Sequence, residues 1–395
     1  MSVRNGRQFL SIPGPTTVPD EVLAAMHRPA VDIRKGELVN VTARLKDDLR
    51  MISKSNSTPF IYIANGHGAW EAALSNVLSR NEKVLVLESG SFAAGWGQSG
   101  GTIGLDVEVL PGNWRKAVDP DAVEARLKAD KSGDIKAVLV VQVDTASSVF
   151  NDIPAIRRAI DNAGHDALLM VDTIASLGTM DYRMDEWGVD VTVAACQKGL
   201  MMSPGVSFTI ANEKAMARHQ NANLRTAYWD WTSRQGAEHY QNYAGTPPVH
   251  MLFGLQKAFE IIREEGLDHI FIRHQLLAGA TRAAVEKWSE QGEFAFNITE
   301  PKERANSVTT VLVSNEENLG NIHDYCSEKC GVVVGVGIAA LSGKALRIAH
   351  MGHINAPMLL GTLSSIEMSL KALKIPHGTG GTQAAIEYLA ANVPQ

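Results

Sequence analysis

The chain has 395 residues, 45% of them hydrophobic and 20% charged, which is enough apolar material for a large core divided between two domains. Its net charge of −6 argues against a nucleic-acid partner or an acidic membrane surface, because no basic excess exists to neutralise phosphates. No apolar run approaches a membrane span, no signal-like stretch follows the N-terminus, and three cysteines are too few for a disulfide framework, so a cytoplasmic protein is expected.

From residue 59 onward, short β-branched runs alternate with longer amphipathic stretches. Strands are predicted at 59–64, 83–88, 106–110, 136–143, 167–172, 190–195 and 206–210. Several are apolar almost throughout, as strands buried on both faces should be. Helical patterns fall between them, among them 69–78, 120–129 and 153–163. This alternation predicts an α/β fold: a large domain whose mostly parallel sheet is flanked by helices. The pattern changes near residue 265. A long helical stretch over 267–291 precedes strands at 307–313, 331–336 and 345–349 and helices at 356–373 and 382–391, which together predict a smaller C-terminal α+β domain. The expected division is an N-terminal arm over 1–20, a large domain over 21–268 and a small domain over 269–395.

In an open parallel sheet, ligands bind beyond the carboxyl ends of the strands. Asp172 ends one predicted strand and Lys198 follows another. A lysine and an aspartate at one sheet edge are what a pyridoxal phosphate enzyme needs. The amine forms a Schiff base with the aldehyde, and the carboxylate keeps the pyridine nitrogen protonated. A lysine in so apolar a setting has its pKa pushed down, which suits that role.

Other residues gather at the same edge. Asn65-Gly66-His67-Gly68 joins the first strand to its helix, either as ordinary turn punctuation or to bring backbone amides to a phosphate. Phe92, after the second strand, is either core or a stacking surface for a flat ring. Thr145 belongs to the cluster Asp144–Ser148, which either forms a turn or offers a hydroxyl to a phenolic oxygen. Ile174 is placed to pack on a ring face, and Gln197 carries amide donors. Tyr243 and Thr246 precede Pro247-Pro248, which reads equally as a rigid turn. Arg347 in an apolar strand calls for a carboxylate, from the protein or from a substrate. Three glycine-rich stretches are set aside. Gly335–Ala340 mimics a dinucleotide fingerprint but follows no first βα unit and precedes no Asp- or Glu-ended strand at the expected distance. Ser342–Ala345 lacks the spacing and the Ser/Thr of a P-loop, and Gly378–Thr382 reads as the loop entering the terminal helix. His323, Cys326 and Cys330 have a metal-like spacing but read as one face of an ordinary helix, so no metal is expected.

On these residues the chain resembles the class V aminotransferases of fold type I, and within them the serine–glyoxylate and alanine–glyoxylate enzymes. The likeness runs from Pro13-Gly14-Pro15-Thr16 through Asn65-Gly66-His67, Val171–Gly178, Gln197-Lys198 and Tyr243–Pro248 to Leu346–His350. It implies pyridoxal 5′-phosphate (PLP) on Lys198, with Asp172 at the pyridinium nitrogen. Phe92 and Ile174 would sandwich the ring, Thr145 would bond its phenolic oxygen, and Gly66, His67 and Gln197 would hold the phosphate. Tyr243 and Thr246 would complete the site of the neighbouring subunit in a homodimer. Arg347 would grip a substrate α-carboxylate, with Arg34 near the entrance. The expected reaction is transamination from a small amino acid to glyoxylate, with serine favoured by the Tyr228–Trp231 segment and alanine or aspartate as alternatives. Pyruvate as acceptor, or a lyase or desulfurase reaction on the same fold, are the competing readings. Phe92 stands where many relatives have Trp, and Ile338 where pyridoxamine–pyruvate enzymes have an arginine.

Overall fold

The computed structural model describes residues 2–394. Its larger sheet has seven strands in the order Thr58–Ile63, Val206–Ala211, Val191–Ala195, Leu168–Asp172, Ile135–Val141, Lys83–Leu87 and Asp106–Leu110. Only Val206–Ala211 runs against its neighbours; the other pairings are parallel. Both faces are covered. Ile61, Val171 and Phe208 pack toward Leu45, Ile156 and Leu252, while Phe60, Tyr62 and Met170 pack toward Trp70, Leu74 and Trp96. Successive residues of one strand thus enter two different cores, and that is why these strands read as continuous apolar runs.

A second sheet of five strands has the order Phe9–Ser11, Val332–Val336, Ala345–Ala349, Val308–Val313 and Phe294–Phe296. It packs under helices Leu267–Trp288, Ala356–Ala372 and Gly381–Asn392 through a core that includes Val311, Leu346, Ile348 and Leu363. A small apolar cluster of Val143, Ala175, Ala305, Val308 and Met351 lies where the two sheets' surroundings meet. No helix among the described residues is long and apolar enough to cross a membrane.

Three of the differences from the sequence expectation bear on the architecture around the sheets. Phe9–Ser11 is a strand, paired in parallel with Val332–Val334 more than 300 residues away, so the N-terminal segment belongs to the second sheet. The strand expected over 136–143 stops at Val141, and Val143–Asp144 turns back on Val149–Phe150 as a separate hairpin. Ser91–Ile103 is a helix despite four glycines, whose poor propensity hides it. The glycines let it lie close to the sheet: a Cβ at Gly97 would stand 2.8 Å from Val86 Cγ2.

Candidate active site

A cavity of about 200 Å³ opens at the carboxyl edge of the larger sheet. The pieces arrive from separate strands. Asp172 is the last residue of Leu168–Asp172, and Lys198 follows Val191–Ala195 by a short turn. Helix Gly66–Val77 starts directly after Thr58–Ile63, and Asn65 caps it by accepting from the His67 and Gly68 amides. Gly66, His67, Phe92, Thr145, Asp172, Ile174, Gln197, Lys198 and Arg347 all line this one cavity.

Lys198 is 6% exposed, and its Nζ donates to Thr145 Oγ1 at 3.2 Å. Burial pushes its pKa down to about 8, with the Asp172 and Asp144 carboxylates opposing the fall. Asp172 is 2% exposed; one carboxylate oxygen accepts from Ile174 N–H at 2.7 Å and the other from the Trp70 indole N–H at 2.6 Å. Burial pushes it up to about 6 against those donors and the pull of Lys198. Lys198 and Asp172 make no ion pair within 4.0 Å. Their attraction does not offset their desolvation, which is the condition of two groups that each still lack a partner.

Thr145 is held from both sides. Asp144, fully buried, accepts from the Phe92, Ala93 and Ala146 amides at 2.8, 3.0 and 2.9 Å, which caps the Ser91–Ile103 helix and fixes the hairpin. From the second sheet, Arg347 Nη1 donates to Thr145 O at 3.0 Å and its Nε to Val336 O at 2.7 Å. Arg347 has no carboxylate within 4.0 Å. Burial lowers its pKa to about 10, still far above neutrality, so it stays charged. The Lys198 loop is pinned by Thr16, whose Oγ1 donates to Lys198 O at 3.0 Å and whose N–H donates to Gln197 O at 3.0 Å.

Three expected residues stand elsewhere in the chain. Arg34 is exposed, lies over the Tyr240 ring at 5.4 Å and is not part of the cavity lining. Tyr243 is fully buried and shares a 2.7 Å hydrogen bond with Thr42 Oγ1. Thr246 is exposed and away from the lining. Conversely, Pro13, Gly14 and Trp70 line the cavity, and Asp144 shapes it, without having been assigned a role there; Asn65, read as part of the turn, and Ile338, noted as a departure from the pyridoxamine–pyruvate enzymes, line it too. Asp144 was the one legible case: an aspartate one residue before Thr145, at the end of an apolar run.

The residues fit PLP. A buried amine stands ready for the aldehyde, and an unpaired buried acid for the ring nitrogen. A close-packed glycine lies between the helix N-terminus and Ile174. A Cβ at Gly66 would stand 2.3 Å from Ile174 Cδ1, so Gly66→Ala must displace the tip of Ile174, which itself lines the cavity. That variant is expected to fold but to bind PLP roughly tenfold or more weakly, as overpacking strains of 1–3 kcal/mol imply; an absorbance titration of the apoprotein with PLP measures it.

The sheet order, the buried lysine and the buried aspartate define a PLP enzyme of fold type I. The aminotransferase class-V family model matches residues 9–355. The chain is 36% identical over 397 residues to the serine–glyoxylate aminotransferase of Methylorubrum extorquens, covering 98% of each. It is 34% identical over 379 residues to the L-aspartate–glyoxylate aminotransferase of Paracoccus denitrificans, covering 95% of each. In fold it is similar to the ureidoglycine–glyoxylate aminotransferase of Bacillus subtilis, with a TM-score of 0.89 at 22% identity, over 99% of this chain and 100% of that one. The chain belongs to the class-V aminotransferases and is a PLP-dependent aminotransferase.

Proposed function

We propose that this enzyme transfers the amino group of a small L-amino acid, serine before alanine or aspartate, to glyoxylate, giving glycine and a 2-oxo acid. One observation carries the reading. Arg347 presents a guanidinium without a carboxylate partner, and its cavity neighbours Gly14, Pro13 and Ile338 are small or apolar. A planar guanidinium recognises an α-carboxylate, and the apolar surroundings suit a short side chain. Relatives over nearly the full length are named for glyoxylate with serine or aspartate, which supports the same acceptor here.

When bound, PLP supplies the aldehyde and the electron-accepting ring. Lys198 Nζ would anchor it and, once displaced by the donor amine, take the α-proton and return it. A pKa near neutrality equips it for both directions. Asp172 would hold a proton on the ring nitrogen. Thr145 Oγ1, within 3.2 Å of Nζ, would orient the lysine and the phenolic oxygen. Gly66, His67 and Gln197 would hold the phosphate at the positive end of helix Gly66–Val77. Phe92 and Ile174 would enclose the ring. Two half-reactions on one site give ping-pong kinetics.

Tyr243 and Thr246 lie off their own cavity, and we assign them to the neighbouring site of a homodimer, as Arg34 is assigned to its entrance. Thr246 is the exposed one of the pair, whereas Tyr243 would first have to leave Thr42. The desulfurase reading needs a cysteine at the cavity. Cys196 is buried, its thiol donates to Ser203 O at 3.0 Å, and burial pushes it up to about 12. No cysteine lines the cavity among the described residues.

A panel of amino acids assayed against glyoxylate and pyruvate tests the proposal. The highest kcat/KM is expected for serine with glyoxylate. Pyruvate outperforming glyoxylate, or a donor with a large side chain outperforming serine, would refute it.

A further inference from the structure

Asp172 is fully buried, and its carboxylate draws on two hydrogen-bond donors. One is the Ile174 amide; the other is the Trp70 indole, at 2.6 Å. Trp70 is 1% exposed and sits near the start of helix Gly66–Val77. Its ring is locked between His67, with centroids 4.5 Å apart, and Trp96, stacked at 6.1 Å and 17°. An indole nitrogen can only donate, so the carboxylate must accept. A hydrogen bond to a charged acceptor is roughly twice as strong as a neutral one and has a direction.

We propose that Trp70 is a positioning residue for the cofactor: its N–H holds the Asp172 carboxylate ionised and in one rotamer, with its remaining lone pairs directed to the pyridine nitrogen. This rests on the role proposed for Asp172. The other charged groups acting on Asp172 are Lys198, which favours its ionisation, and Asp144, which opposes it. His67, against Trp70, is kept toward the neutral imidazole by burial and by Lys198. Substituting Trp70 leaves these charges in place, and because it also disturbs the ring stack, a variant of the stacked Trp96 serves as the packing control.

The sign follows from proton counting. PLP arrives at near-neutral pH with its ring nitrogen protonated, and the complex keeps one proton between that nitrogen and Asp172. Protonated Lys198 must lose its proton when it captures PLP, so affinity already declines below about pH 8. Below the pKa of Asp172 in the apoprotein a further proton must leave on binding, so the fall steepens. Without the indole donor that pKa rises, and the steeper fall begins at higher pH.

The test is the PLP dissociation constant, measured by absorbance on dilution of the holoenzyme between about pH 5 and 8.5. Trp70→Phe is expected to bind PLP roughly tenfold or more weakly near neutrality, with its acid limb moved up by about one pH unit. Trp96→Phe removes an indole from the same stack without touching Asp172 and should leave the limb in place. Trp70→Tyr, which regains a donor, should fall nearer the wild type than Trp70→Phe. An unmoved limb in both Trp70 variants, or an equal displacement in Trp96→Phe, overturns the proposal. Asp172→Asn separates the two levels: it should weaken PLP binding near neutrality and leave only the limb set by Lys198, and an unchanged dissociation constant there refutes the role of Asp172 rather than the contact with Trp70.

Discussion

Lys198→Ala is expected to lower turnover by at least about 10²–10⁴-fold while the fold survives. Lys198 is buried at the end of a strand loop pinned through its backbone by Thr16, so the side chain can be shortened without unpinning the loop. The wild-type protein should be yellow, and borohydride should fix the chromophore covalently to Lys198; the variant should bind PLP without becoming reducible onto the chain. Because burial brings the amine down to about 8, capture of PLP by the wild-type apoprotein should accelerate as pH rises toward that value. Ordinary activity in Lys198→Ala, or reduction onto another lysine, would remove the basis of the mechanism.

Arg347→Lys is expected to cost about 10²-fold in kcat/KM for amino-acid donors. Two of the guanidinium's nitrogens are already committed, Nε to Val336 O and Nη1 to Thr145 O, and only an arginine fork can keep both while offering a further N–H to a substrate. A lysine has one nitrogen and must abandon either the backbone carbonyls or the substrate. The loss should therefore appear mainly in the half-reaction with an α-carboxylate. A simple amine lacking a carboxylate, assayed by its single-turnover reaction with the holoenzyme, should react equally with both proteins. An equal deficit with that amine would show that Arg347 acts only by tying the Ala345–Ala349 strand to the Thr145 hairpin.

Most of the larger sheet and the two polar anchors were legible because their causes are local. A strand buried on both faces writes an unbroken apolar run, so an Asp or Lys at its end stands out, as Asp172 and Lys198 do. Resemblance added the roles of Gly66, His67, Phe92, Thr145, Ile174 and Gln197, and the fold brings all of them to one cavity. Arg34, Tyr243 and Thr246 were assigned roles outside their own chain's cavity or at its entrance, and a single chain does not bring them to it. Within one chain the first lies on the surface over Tyr240 and the second is bonded inside to Thr42, a partner 201 residues away.

What the sequence by itself determined was the alternation of strand and helix, the change of pattern past residue 265 and the lysine–aspartate pair. Each is written within a few neighbouring residues by burial and turn chemistry. Only the tertiary structure decided that Phe9–Ser11 joins the second sheet, that Trp70 donates to an acid 102 residues away, and that Arg347 meets Thr145 across 202. Those contacts depend on which strand ends lie side by side, and sheet order is set by packing between distant segments, which leaves no periodic trace in either partner.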